Sequence, residues 1–230
     1  MYSLDLLDSR APALGHLLGE ARAMVAWPLR MMAVPRMPAR VDGPPILVLP
    51  GFLASDRSTA LLRRALADAG FRAHGWHMGT NWGPRADTLD RLVTRLRRVS
   101  AKNDAPVTIL GWSLGGVYAR ELAKRLPEKV ARVVTMGTPF SGDMRANNAW
   151  RLYELVNDHK VDAPPIDARP HEKPPVLTYA LWSRRDGIIA PASARGQAGE
   201  SDEAIEFDCT HMGFATDPYA IAQLIAFLKR

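Results

Sequence analysis

The stretch Pro106-Val107-Thr108-Ile109-Leu110-Gly111-Trp112-Ser113-Leu114-Gly115-Gly116 decides how this chain is read. Its first part is the β-branched, apolar composition of a buried strand, and from Leu114 to Leu126 apolar residues recur at helical spacing. Between them stands G-x-S-x-G: strand, sharp turn, helix, with a serine at the turn. A Cβ at Gly111 or Gly115 would collide with the neighbouring strand or helix, so both positions call for glycine. Such a turn strains the serine backbone, lifts its Oγ to the top of a sheet and aims a helix N-terminus at whatever the serine attacks. An ordinary turn with Ser113 capping the helix would read the same way locally. The partners found elsewhere in the chain separate the two.

Working outward, Pro44 to Phe52 is a continuous apolar run ending in a glycine turn, as suits a parallel sheet covered on both faces. Ser58 to Gly70 reads as a helix with Gly70 at its C-terminal end, Phe71 to His77 as a short strand, and Arg85 to Lys102 as a helix with Leu89, Leu92, Val93, Leu96 and Val99 on one face. A strand at Ala131–Met136 follows the serine helix. Residues 139–175 then break the rhythm with six prolines and one short helix around Trp150–Val156, which marks an insertion. Val176–Ser183 and Ala204–Cys209 read as strands. Pro218–Lys229 is a closing helix with Asp217 as N-cap and Pro218 at its first position. This alternation predicts an α/β fold with a mostly parallel central sheet of about six strands and helices on both faces. The expected organisation is an N-terminal helical leader over 1–42, then one domain over 43–230 with the insertion at about 139–175.

A serine hydroxyl is a poor nucleophile at neutral pH and needs a base, which in turn needs an orienting group. In a parallel sheet, reacting groups gather at the carboxyl ends of strands. His211 directly follows the strand Ala204–Cys209, and Asp186 directly follows Val176–Ser183. The chain order Ser113, Asp186, His211 is the one expected for this kind of turn. His211 would take the Ser113 proton and return it to the leaving group, with Asp186 holding the imidazole tautomer. Taken singly, a loop histidine is more often a packing residue and an Asp before Gly a turn former. It is the order and the strand ends together that favour a triad. An oxyanion needs two backbone N–H donors; Leu114, after the serine, should be one, and Phe52, in the loop after the first core strand, the other, unless that loop is a simple glycine turn.

Leu49-Pro50-Gly51-Phe52, Gly111 to Gly116, Met136-Gly137-Thr138-Pro139-Phe140, Asp186 and His211 together resemble an α/β-hydrolase, closest to the bacterial lipase and esterase branch, from about residue 44 to 229. The resemblance implies Ser113, Asp186 and His211 as the triad, Phe52 and Leu114 as the oxyanion hole, and 139–175 as a small cap. The chain departs from the pattern where Pro50-Gly51 replaces the usual His-Gly. It also carries the helical leader where the full fold has its first two strands.

Function is therefore expected to be cleavage of carboxylic esters, small or lipid-like, through an acyl-enzyme, with no cofactor and no metal. The alternatives are an acyltransferase or thioesterase on the same triad, or a non-catalytic binding protein on this fold. Trp112, Phe140, Trp150, Leu152 and Tyr153 either line an acyl pocket or are plain core. His74 and His77 flank Trp76 without a Cys or carboxylate cluster, which argues against a metal there. No dinucleotide or phosphate-loop motif follows a strand. The net charge of +6 comes with arginines spread over helix faces, such as Arg91, Arg95, Arg97 and Arg98, and with no nucleic-acid motif. A single cysteine, Cys209, excludes an internal disulfide framework. Asp5 and Asp8 interrupt any signal-like start, and no apolar run is long enough to span a membrane, so a soluble cytoplasmic chain is expected. In the leader, Leu14, Leu17, Leu18, Ala21, Met24 and Val25 form a helical stripe. Asp5, Asp8 and Glu20 dilute its basic face, favouring packing on the chain's own domain over contact with a membrane surface.

Overall fold

Leu47, Val48 and Leu49 are all fully buried. Since neighbours on a strand point to opposite faces, the sheet that holds them has to be covered on both sides. In the computed structural model, which describes residues 10–17, 19–21 and 43–230, that sheet has six strands: β1 Pro45–Leu49, β2 Arg72–Gly75, β3 Val107–Trp112, β4 Val130–Met136, β5 Leu177–Trp182 and β6 Glu203–Glu206. They run in the order β2-β1-β3-β4-β5-β6, and every neighbouring pair is parallel. The helices are α1 Ala60–Asp68, α2 Thr88–Asn103, α3 Leu114–Arg125, α4 Trp150–Val156, α5 Pro191–Arg195, α6 Gly213–Thr216 and α7 Pro218–Leu228, with a 3-10 turn at Pro127–Lys129.

Strand alternation sorts the core into two layers. Ile46, Val48, Leu110, Trp112, Val134 and Met136 pack with Leu62 and Leu66 of α1 and Ile221 and Leu224 of α7. Leu47, Leu49, Ile109 and Val133 pack with Leu89, Leu92 and Leu96 of α2 and Tyr118, Ala119 and Leu122 of α3. Each fully buried side chain of this size contributes on the order of 1.5–3 kcal/mol of transfer free energy. The helix ends follow their local chemistry. After α1, Gly70 sits at φ +100° and Phe71 N–H bonds back to Leu66 O at 3.0 Å, a left-handed C-terminal stop. At the start of α7 the Asp217 carboxylate accepts from Tyr219 N–H at 2.8 Å, with Pro218 in the first position.

Two local expectations change. The sequence reads the last strand as Ala204–Cys209, but the sheet ends at Glu206, and Phe207 and Cys209 turn into the core against α7. The short helices α5 and α6 fall where the sequence reads loops. Of the helical leader, residues 16–17 and 19–21 are helical; residues 1–9, 18 and 22–42 lie outside the described residues. Among the described residues no helix is long and apolar enough to cross a membrane.

What positions the site is the strand order. The chain leaves β1 to one side for β2 and returns on the other side as β3. The loops after β1 and β3 therefore diverge, which opens a crevice at their carboxyl ends.

Candidate active site

Ser113 stands at that crevice, between the end of β3 and the start of α3, at φ 54° and ψ −126°. This left-handed conformation is costly for a residue with a side chain. The surroundings impose it. A Cβ on Gly111 would run into the Gly116 backbone, one on Gly115 into Leu49 O and Pro50 O, and one on Gly116 into Thr138. The helix is thus wedged against two strands, and Ser113 N–H is pinned to Met136 O at 2.8 Å. Although Ser113 occupies the capping position of α3, its side chain makes no capping hydrogen bond. That removes the ordinary-turn alternative in its simplest form.

The loop after β1 lies directly over the serine. A Cβ at Gly51 would stand 2.9 Å from Ser113 Cβ, so the glycine there is a steric requirement. Among the described residues neither Phe52 N–H nor Leu114 N–H, the two oxyanion candidates, has a hydrogen-bond partner. The residue that holds this loop is Asn81, which sequence reasoning missed. Its Nδ2 donates to Pro50 O at 2.8 Å. Its backbone accepts from Leu53 N–H at 2.7 Å and donates to Ala54 O at 2.8 Å. Its Oδ1 accepts from the Tyr118 hydroxyl at 3.3 Å and from Gly83 N–H at 3.3 Å. Leu53 is bent to φ 59° in consequence. Asn81 therefore supports the loop in which the resembling pattern has a histidine.

Asp186 and His211 meet at the ends of β5 and β6. His211 Nδ1 and Asp186 Oδ2 are 2.8 Å apart, and both residues are buried, at 3% and 1% exposure. The other carboxylate oxygen, Oδ1, accepts from Ile188 N–H at 2.9 Å and Ile189 N–H at 2.8 Å. The turn carrying Gly137, at φ +53°, passes so close that a Cβ there would stand 2.9 Å from Asp186 Oδ2 and 3.0 Å from His211 Nδ1. Burial pulls the imidazole pKa down, but the Asp186 charge and hydrogen bond, with the Glu20 charge, outweigh it and the net direction is upward. The Trp112 indole donates to His211 O at 3.1 Å. Its ring lies 5.7 Å from the imidazole, so the residue before the serine abuts the histidine. Nε2, the remaining ring nitrogen, has no hydrogen-bond partner among the described residues, and no hydrogen bond joins it to Ser113 Oγ. Contacts between nucleophile and base commonly tighten only in the Michaelis complex.

Ser113 and Leu114 line a cleft of about 840 Å³, open mouth included, shared with Phe52, Val117, Trp150, Tyr153, Ile166 and Ile189 among others. Of the five side chains the sequence offers as pocket lining or core, Trp150 and Tyr153 line the cleft. Trp112 and Phe140 are core, and Leu152 is exposed. Residues of the insertion reach the cleft, and a buried arginine ties that insertion to α3. Arg120 bonds to Pro170 O and Glu200 O and sits 4.2 Å over the Phe140 ring. Burial lowers its pKa to about 10, which leaves it a cation at neutral pH. Elsewhere, His74 Nε2 pairs with Asn103 at 3.1 Å. Burial pushes the Cys209 thiol upward, consistent with packing. Among the described residues no group of three or more His, Cys, Asp or Glu could hold a metal ion.

Comparison with known proteins points the same way. A family model described as alpha/beta hydrolase fold matches residues 44–163. The bifunctional biotin biosynthesis protein BioHC of Teredinibacter turnerae is 42% identical over 60 residues, which is 26% of this chain and 10% of that one. The pimeloyl-[acyl-carrier protein] methyl ester esterase of Nitrosospira multiformis is 30% identical over 122 residues, 50% of this chain and 46% of that one. The chain spans less than half the length of these curated relatives. Aspergillus fumigatus lipase B has the same fold, with a TM-score of 0.58 at 16% identity over 85% of this chain and 55% of that one. The family match covers more than half of the 230 residues and contains the elbow, so the chain belongs to the α/β-hydrolase fold family.

Proposed function

We propose that the chain is a serine hydrolase of carboxylic esters. One observation carries the proposal: a strained serine at an apolar cleft, its side chain making no capping bond, with a buried Asp–His pair at the ends of β5 and β6. The esterase name of the Nitrosospira relative supports the same reaction class. In this reading Ser113 Oγ attacks the ester carbonyl while His211 Nε2 takes its proton. The C–O bond to the alcohol then breaks as the imidazolium protonates the leaving oxygen. Water, deprotonated by His211, attacks the acyl-serine; the C–O bond to Ser113 then breaks as the imidazolium returns that proton to Oγ, and the acid leaves. Asp186 keeps Nδ1 protonated and stabilises the imidazolium. The N–H groups of Phe52 and Leu114 receive the oxyanion, each worth about 3 kcal/mol in the transition state. The cleft between Val117, Trp150, Tyr153 and Ile166 takes an apolar acyl chain.

The test is covalent labelling by a fluorophosphonate together with turnover of p-nitrophenyl esters, with and without an added alcohol. Wild-type protein should be labelled at Ser113 and should release acid. Ser113→Ala should lose both labelling and turnover with an unchanged circular dichroism spectrum. Turnover retained in that variant refutes the nucleophile assignment. Transfer to the alcohol in preference to hydrolysis would make the chain an acyltransferase instead.

A further inference from the structure

Glu20 belongs to no strand or helix of the hydrolase rhythm, yet its side chain ends beside the catalytic pair. It is 3% exposed and collects three backbone N–H donors. His211 N–H reaches Oε1 at 2.6 Å, Gly187 N–H reaches Oε1 at 3.0 Å, and Met212 N–H reaches Oε2 at 2.9 Å. All three are donors, which suits a carboxylate. They come from two separate loops, one carrying the acid and one carrying the base. The segment is seated tightly as well. A Cβ on Gly187 would stand 2.8 Å from the His16 carbonyl and 3.0 Å from Glu20 Cγ. Asn148 Nδ2 bridges Pro12 O at 2.9 Å and Gly187 O at 2.8 Å.

We infer that Glu20 is a positioning residue for His211: from the N-terminal segment it fastens the acid loop and the histidine loop to each other and so sets where the imidazole stands. The inference rests on the proposed triad. Asp186 and His211 sit 25 positions apart on different loops, and the contact between Nδ1 and Oδ2 alone leaves freedom between the two loop backbones. Glu20 removes that freedom by holding the histidine's own backbone and that of the residue after the acid. It does so without touching substrate. Its charge has a second effect. The charged groups acting on the imidazole are Asp186 and Glu20, both favouring the protonated ring against burial. Of the neighbouring carboxylates, Asp208 is paired with Arg185 at 3.1 Å and Asp217 caps α7. Trp112, Ser113 and Gly137, the other close neighbours, carry no charge.

Glu20→Gln keeps the size, removes the charge and turns an amide NH2 toward a backbone N–H. It should lower kcat about 10- to 100-fold with KM changed less than about threefold, as a misplaced base does. It should also move the acidic limb of kcat/KM to lower pH, a change that a merely structural residue does not produce. NMR titration of the His211 ring, assigned by its loss in His211→Gln, should show a lower midpoint in Glu20→Gln, and this readout needs no turnover. Glu20→Asp keeps the charge one methylene short; it should lower kcat while leaving the midpoint in place, and it carries the test if Glu20→Gln does not fold. Wild-type kcat in the folded variant, or a midpoint unmoved by Glu20→Gln, overturns the inference. A wild-type protein that turns over no ester while its His211 midpoint still falls in Glu20→Gln would refute the hydrolase reading and leave the clamp standing.

Discussion

Replacing Asn81 by alanine tests how the proposed oxyanion loop is held. The side chain donates to Pro50 O at 2.8 Å and accepts from the Tyr118 hydroxyl at 3.3 Å. Alanine leaves that carbonyl and that hydroxyl without partners, and Tyr118 is fully buried. Each buried orphan costs about 1–3 kcal/mol, so Asn81→Ala should lose about 2–6 kcal/mol, a large share of the 5–15 kcal/mol typical of a domain. Activity should fall further than stability explains. Gly51 leans on Ser113 and Phe52 follows it, so slackening Pro50 moves one of the two N–H donors away from the carbonyl. Losing such a donor costs about 10²–10³ in kcat with little change in KM. Guanidinium denaturation followed by tryptophan fluorescence measures the first quantity, and p-nitrophenyl butyrate kinetics well below the transition measures the second. Tyr118→Phe is the control: it keeps the bond to Pro50, and should cost only about 1 kcal/mol and leave kcat close to wild type. Asn81→Ala with kcat within threefold of wild type would mean that Asn81 serves the fold and not the oxyanion loop. Stability unchanged within about 0.5 kcal/mol would refute the orphan argument itself.

The acidic limb of kcat/KM in the wild type should lie above 6.5, the ordinary histidine value, because the base acts only when neutral and a raised pKa keeps it protonated to higher pH. Asp186→Asn removes the leading upward influence, so the limb should move down while the rate drops by as much as ~10⁴ through the wrong tautomer; a mild loss would point to another acid. Arg120→Leu strips Pro170 O and Glu200 O of their donor and should cost about 2–4 kcal/mol, with faster proteolysis near residues 160–172; equal proteolysis rates would deny the tether. Met144→Trp fills part of the cleft and should shift preference toward shorter acyl esters on a p-nitrophenyl panel, whereas an unchanged preference would place the acyl chain elsewhere.

β1 is legible in the sequence because a strand buried on both faces is written as an unbroken apolar run, and β3 and β4 are legible because β-branched and apolar residues dominate them despite Thr108 and Arg132. β6 is legible in its place but not in its end, because this edge strand reads Glu-Ala-Ile-Glu. The apolar signal lies just beyond it, in Phe207 and Cys209, which serve the core from a loop. α5 and α6, at five and four residues, are too short for any period to register. Ser113, Asp186 and His211 can be read from a motif and from their places after strands. Asn81 and Glu20 cannot, since each acts through partners 31 and 191 positions away with which it shares no local pattern. Gly137 stands in a stretch that resembles the family, but the reason no side chain fits there emerges only when Asp186 and His211 close over it.

Arg120 grows from the helix that begins just after Ser113, and it grips the far end of the insertion and the turn before β6. A load placed on the roof of the cleft is therefore carried down into the same rod whose tip holds Ser113. If Ser113 acts as proposed, a guest that lifts those insertion residues should strain that helix as well, so the width of the cleft and the stance of the Ser113 oxygen should vary together.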